Sequence, residues 1–370
     1  MTSRTVAVVG AGIIGCLIAS ELAAADPDTQ VIVLDRDLVG SGVSRRSAGV
    51  SLPQGSTPRK RGLSAFSHRY YADLRTRHPA LPCRPVGARL VLEGATDPAD
   101  VGYLPDETAP VRADSQAPAG ALAAEIKIPS PAQVWRLAGC HYTDVYALIQ
   151  LLTAAARSRV HFIEGAKVTG LTTGTGAVRL SCASGDELTA DQVVIAPGPW
   201  LAAPAWRDLV SPLGLRVKKI VAMHLERQPD PADELIIFEQ EDAFLLPLAQ
   251  RGHWLFSYTR LEWDVDPDEL AAGPGLSAAD VEAARACLRR YSPALADAMV
   301  AGRVCCDAYS PAGEPVVSGL DEAGRIVFAG GASGSGYRLA PGIAAETVAL
   351  LRDRPSPIYS EGATDDHQRV

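Results

Sequence analysis

The 370-residue chain has no apolar run near the roughly 18 residues that a membrane-spanning helix needs, which excludes an integral helical membrane protein. It has no excess of positive charge. Lys and Arg number 35 against 43 Asp and Glu, a net charge of −8, and a nucleic-acid binder, which gains its affinity by neutralising phosphates, is excluded. Its seven cysteines show no Cys-x-x-Cys spacing, so neither a metal site nor a disulfide framework is expected. A secretory leader has no room, because MTSRTVAVVGAG reaches a glycine motif at once, and a cytoplasmic, reducing location is expected. No internal repeat is present. Residues that are 47% hydrophobic and 21% charged allow a large core, and the length points to two domains or one composite unit.

The first element is the clearest. Val6-Ala7-Val8-Val9 is a short apolar run, as in a strand buried on both faces of a parallel sheet. Gly10-Ala11-Gly12-Ile13-Ile14-Gly15 follows, and Ile13 to Ala25 reads as a helix with Ile14, Leu17, Ile18 and Leu22 on one stripe. Val31 to Leu34 is a second buried strand ending in Asp35, 25 residues after Gly10. A βαβ unit with this turn binds a dinucleotide: the first glycine makes the turn, the second admits the pyrophosphate, and the third lets helix pack on strand. The helix N-terminus meets the phosphate charge, and Asp35 is placed to accept bonds from ribose hydroxyls. The motif alone does not separate NAD from FAD.

Further along, Gly40 to Gly55 reads as a Gly/Ser/Arg-rich loop, Leu63 to Thr76 as a helix, Arg89 to Leu92 as a strand, and Gly94 to Ala124 as a surface insertion. Asp144 to Arg157 is helical, and 160–163 and 193–196 are strands. Alternating apolar runs between 213 and 260 predict an antiparallel sheet, and Ser277 caps a helix that runs to Tyr291. Ile326 to Ala329 is a last buried strand, followed by a glycine-rich turn and a helix from Gly342 to Leu351. The polar tail from Asp353 is expected to be loosely held.

A flavin protein must also hold an isoalloxazine ring, commonly with a distant C-terminal segment. Gly330 to Arg338 follows a buried strand and precedes a helix. A helix N-terminus there would stabilise the negative charge that forms when the ring takes a hydride. The plainer alternative is a strand–helix glycine turn.

The chain resembles the FAD-dependent amine and amino-acid oxidoreductases that include D-amino-acid oxidase, glycine oxidase and monomeric sarcosine oxidase. The likeness lies in Val6 to Gly15, Leu34-Asp35-Arg36 with Gly40 to Ser44, Asp144 to Leu148, Val193 to Trp200, and Ser310 to Pro341, in the family's order. It implies an α/β fold. A discontinuous Rossmann-type FAD-binding domain (1–80, 140–210, 300–352) would accompany an antiparallel-sheet α+β substrate domain (81–139, 211–299), with 353–370 as tail. It implies one FAD, held by Gly10, Gly12, Ile13, Ile14, Gly15, Asp35 and Arg36, by Ser44, Arg45 and Arg46 in the following loop, by Val168 at the adenine, by Gly198 and Trp200, and by Gly334, Ser335, Gly336, Tyr337 and Arg338 along the ring.

The resemblance also implies the chemistry: hydride transfer from the carbon next to nitrogen to the flavin, an imine product, and reoxidation by O2 to hydrogen peroxide. The protein then mainly orients a small amine or amino acid, cyclic or N-alkylated ones included. Arg338 falls where the sarcosine-oxidase branch has a carboxylate-binding Lys, and Arg would bind bidentately. The alternative is a pair with an acid such as Glu346. Cys305 falls where that branch carries a Cys bonded to flavin, although Ala312 replaces the family's Asp; the alternative is a small buried hydrophobe. Asp307 stands where the other branch has a carboxylate-binding Arg. An acid there would repel a carboxylate and attract an amine, unless it faces away and pairs with Arg303 or Arg45. Asp264 stands where an oxygen-activating Lys is expected, with Lys218 and Lys219 the nearest alternatives, so a dehydrogenase with another acceptor stays open.

Tyr258, Trp263 and Tyr309 are candidates to line the substrate pocket, Tyr337 to sit over the ring, and His224 or His253 to poise an amine for deprotonation. A flavin monooxygenase is the third reading, disfavoured because its usual Gly-Asp-Ala-x-His type of turn is absent.

Overall fold

The computed structural model describes residues 4–104, 109–113, 125–273 and 275–358. Two large sheets organise it. The first has six strands in the order Val316–Gly319, Ile326–Gly330, Gln192–Ile195, Thr5–Val9, Gln30–Leu34 and Val160–Ile163, parallel except at the 316–319 edge. Its central strands are buried beyond their first residues, as continuous Val/Ile runs covered on both faces require. Helices Ile13–Ala25, Pro58–Arg77, Val145–Ala156 and Gly336–Leu351 share a core with it. A small sheet of 168–173, 178–182 and 187–190 contributes to the core on its other face.

The second sheet has eight strands, in the order Met299–Tyr309, Arg216–Leu225, His253–Trp263, Ala243–Leu248, Leu235–Phe238, Ala88–Leu92, Gln133–Leu137 and Val111–Arg112. One face packs against helix Ala278–Arg289, which opens with a Ser277–Asp280 capping box. The fold class expected from the sequence, α/β with a parallel and a mostly antiparallel sheet, is the one observed.

Several elements differ from the sequence reading. The Gly40–Gly55 loop contains a helical turn, Val43–Arg46, and a short strand, Val50–Ser51. The helix expected from Leu63 starts at Pro58, capped by Thr57, whose side chain accepts from the Lys60 N–H. Leu235–Phe238 pairs in parallel with Ala88–Leu92, so the second sheet is not purely antiparallel. Met299–Tyr309, which carries Cys305 and Asp307, joins that sheet beside Arg216–Leu225 and not the parallel one. The last helix begins at Gly336, with Pro341 inside it. Ile358 packs against the core and lies 2.8 Å from where a Gly62 Cβ would be, so the first residues beyond 353 are held, while 359–370 and most of the 94–124 insertion's second half lie outside the described residues.

Candidate active site

A long cleft, about 1820 Å³ including space open to solvent, runs from the glycine turn after the first strand to the face of the eight-stranded sheet. At one end the glycines are dictated by sterics. Gly10 has φ +104°, and a Cβ there would lie 2.2 Å from the Ala196 carbonyl oxygen; one on Gly15 would lie 1.9 Å from the Gly10 oxygen. Gly12 caps the first helix with no side chain. Ser44 Oγ accepts from the Ile13 N–H at 3.0 Å, and the Ile14 and Gly15 N–H groups meet no acceptor among the described residues. That leaves a helix N-terminus open onto the cleft beside a glycine, which fits a pyrophosphate.

Asp35 lines the cleft. Its carboxylate accepts from the Ala11 N–H at 2.7 Å and the Asp37 N–H at 2.9 Å, and burial pushes its carboxyl up. Each oxygen keeps a lone pair, so the ribose role is compatible with this bracing of the turn. Val168, Gly198, Trp200, Arg36 and Arg46 also line the cleft. Arg36 lies over the Trp200 ring and bonds Asp268 at 2.9 Å, and the Trp200 indole N–H donates to the same carboxylate at 2.7 Å. Arg45 turns away, over the Tyr146 ring, because the helical turn at 43–46 points consecutive side chains in different directions.

The other end joins the C-terminal turn to the sheet. Gly334, Gly336 and Arg338 line it, facing Ile220, Ala222, Ser257, Cys305 and Asp307. Arg338, in the first turn of the last helix, is buried; it donates to Ser335 Oγ at 2.7 Å and Gln54 Oε1 at 3.1 Å. Gln54 in turn donates to Glu239 at 3.0 Å. Arg338 therefore touches no acid directly among the described residues, and Glu346 pairs with Arg59 instead. The guanidinium keeps donors for an anion in the cleft.

Strand alternation decides the rest. Even-numbered residues of Arg216–Leu225 and odd-numbered residues of Met299–Tyr309 share the cleft face. Cys305 is buried there, and burial pushes its thiol well up, which keeps it protonated. Asp307 faces the cleft, and burial pushes its carboxyl up to about 6. It forms no hydrogen bond or ion pair with any described residue, Arg303 and Arg45 included. Lys218, its register partner, has its ammonium over the rings of Trp263 at 5.0 Å and Tyr309 at 5.3 Å, and 3.9 Å from Asp242.

Several expected site residues turn their functional groups to other partners. Tyr258 is on the far face, packed towards helix Ala278–Arg289, while its neighbour Ser257 lines the cleft; a period of two cannot send both inward. His224 bonds the Arg303 guanidinium at 2.8 Å and stacks on His253, and burial followed by the Arg303 charge lowers it to about 4. Tyr337 borders the cleft, but its ring stacks on Tyr71 and its hydroxyl bonds Thr143 at 2.6 Å and His141 at 3.0 Å. Trp263 and Tyr309 hold Lys218. Asp264 pairs with Arg216 at 2.6 Å outside the cleft, and Lys219 points to the opposite face, bonded to Asp280 at 3.0 Å.

The sequence reading missed Gln54, Glu239 and Asp268. Only Asp268 had a signal, the Asp-Pro-Asp that caps helix Pro267–Ala272. No cluster of metal-ligating side chains occurs, and no helix is long and apolar enough to cross a membrane, among the described residues.

A family model described as FAD-dependent oxidoreductase (DAO) matches residues 5–350. No curated protein sequence matches. Among solved structures, glycine oxidase from Geobacillus kaustophilus superposes with a TM-score of 0.73 at 18% identity, covering 96% of each chain. L-proline dehydrogenase from P. horikoshii gives 0.75 at 15% identity, again over 96% of each chain. Fructosyl amine:oxygen oxidoreductase (Amadoriase I) from Aspergillus fumigatus gives 0.76 at 19% identity, over 97% of this chain and 89% of that one.

Proposed function

The chain belongs to the FAD-dependent oxidoreductase family, and from that premise we propose that it oxidises the carbon–nitrogen bond of a small amine or amino acid, using O2 as acceptor. The observation that carries this reading is one cleft joining two helix N-termini, at Gly12 and Gly336, to a sheet face that bears an acid, with a buried Arg338 beside it. FAD, when bound, supplies the acceptor for a hydride from the carbon next to nitrogen.

The chain's own residues supply placement. Gly10, Gly12, Gly15 and the open N–H groups of Ile14 and Gly15 would hold the pyrophosphate, Asp35 the ribose, and the turn from Gly334 to Arg338 the ring edge. Arg338 would orient a substrate carboxylate bidentately. The apolar wall formed by Ile220, Ala222 and Cys305 would keep water from the reacting carbon.

A dehydrogenase with a non-oxygen acceptor is the second reading. Asp264, in place of the expected lysine, favours it, as does the holding of Lys218 by two aromatic rings. Purified protein should absorb near the visible blue and bleach under argon with a substrate amine. Peroxide on admitting air supports the oxidase; turnover only with a dye acceptor supports the dehydrogenase. Acid precipitation reports attachment: with the Cys305 thiol held protonated, FAD is expected in the supernatant, and a yellow pellet that turns colourless in Cys305→Ala would show a covalent link.

A further inference from the structure

We propose that Asp307 receives the protonated nitrogen of the substrate, so that this cleft selects cationic amines and turns any substrate carboxylate away from the sheet, towards Arg338. This rests on the reading of the cleft as an amine-oxidising site, and it names the substrate class.

The argument is one of an uncompensated charge. Asp307 sits one position before the end of the cleft-facing row of Met299–Tyr309, yet no described residue donates a hydrogen bond to its carboxylate. A half-buried acid without a partner is still costly in its charged form and is normally met by a cation. The cation that strand register brings opposite is Lys218, and it is diverted: two rings and Asp242 hold its ammonium, and no ion pair with Asp307 forms. On its own strand the same-face neighbours of Asp307 are Cys305 and Tyr309, and burial pushes both up, so both are neutral.

Among the described residues, the surrounding elements supply no other cation bonded to Asp307. Arg303, two steps along the row beyond Cys305, spends its guanidinium on the Arg46 carbonyl at 3.0 Å and on His224. Arg46, from the Val43–Arg46 turn, lines the cleft without bonding Asp307, and Asp266, at the cap of helix Pro267–Ala272, is an acid. The cleft is therefore built with one open anionic contact on its sheet wall. A ligand ammonium completes it; a ligand carboxylate at that point would meet like charge. Burial holds the Asp307 carboxyl near 6, so the contact is charged at neutral pH and switches off in mild acid.

The test uses purified holoprotein under argon and two ring-matched probes, pyrrolidine as the cation and cyclopentanecarboxylate as the anion. Binding is read from the absorbance change of bound flavin and, independently, by calorimetry. Pyrrolidine is expected to bind more tightly than the carboxylate. Asp307→Asn should weaken pyrrolidine at least ~10-fold, the scale of a lost charged hydrogen bond, and leave the carboxylate unchanged or tighter. Pyrrolidine stays protonated throughout, so its affinity for the unaltered protein should rise with pH between about 5 and 7 as Asp307 ionises, a result that needs no variant. Preference for the carboxylate, a flat pH profile, an unchanged Asp307→Asn variant, or binding of neither probe overturns the assignment. A protein that holds no flavin overturns instead the functional reading beneath it.

Discussion

The hydroxyl of Tyr71 donates to the backbone carbonyl of Tyr337 at 2.7 Å. That carbonyl is the acceptor which Pro341, four residues on and without an N–H, leaves empty. One residue further, the Gly342 N–H donates to Ser67 Oγ at 3.1 Å. Two side chains of helix Pro58–Arg77 thus repair the last helix where its proline interrupts it. The repair lets that helix start early enough to carry Tyr337 and Arg338 to the cleft.

Tyr71→Phe should therefore destabilise the protein by about 1–3 kcal/mol, the cost of a buried carbonyl left without a donor. Urea unfolding followed by circular dichroism measures it. Because Arg338 sits in the turn that Tyr71 secures, FAD affinity should fall as well; a variant of unchanged stability would mean that the carbonyl finds another partner.

Arg36 and Asp268 lie 232 residues apart and bond across the cleft's outer edge with Trp200 between them. The pair is partly exposed, so Asp268→Ala should cost no more than ~1 kcal/mol of stability. If the bond clasps the cofactor end of the cleft, FAD should dissociate several-fold faster. Recovery of flavin fluorescence after dilution reads that rate, and an unchanged rate would make the contact merely a surface pair.

Gly10 and Gly12 should separate folding from binding. Gly10→Ala forces a side chain into φ +104° and onto the Ala196 oxygen, and a loss of at least ~3 kcal/mol in thermal stability is expected. At Gly12 the new Cβ meets only Ser44 Oγ, at 3.2 Å. Gly12→Ala should melt within a few degrees of the parent yet bind FAD at least ~10-fold more weakly, since the methyl group would fill the approach to the pyrophosphate.

Asp307 gives a pH dependence with a definite sign. Burial raises its carboxyl from 3.8 to about 6 in the folded chain. The native state then binds more protons than the unfolded one between those values, so stability falls as pH rises through them and stays lower above. Asp307→Asn removes that penalty. In flavin-free protein it should raise the melting temperature at pH 7.5, by up to ~3 kcal/mol in stability, and change nothing below about pH 4. A variant less stable at pH 7.5 would show that the carboxylate has a stabilising partner.

Much of this organisation was legible in the order of residues. The apolar runs at Val6, Val31, Val193 and Ile326 announce buried strands, and each is one. Their spacing and the glycines between them fixed a tight strand–helix turn, because only glycine tolerates the contacts at positions 10 and 15. The start of the last helix was misplaced because Pro341-Gly342 has the local look of a helix opening. What overrides it, Tyr71 and Ser67, lies more than 260 residues away in the chain.

Local pattern determined the fold class and the glycine turn, since these depend on periodicity and on backbone sterics within a few residues, whereas Cys305, Asp307 and Arg338 were singled out only by the family resemblance. Which side chains meet in the cleft was decided by tertiary structure alone. Strand pairing sets the phase that turns Ser257 inward and Tyr258 outward, and it stands Lys218 beside Asp307. Packing across strands then draws the lysine onto Trp263 and Tyr309 and leaves the acid without a counter-ion, a balance of charge between distant segments that no stretch of sequence contains.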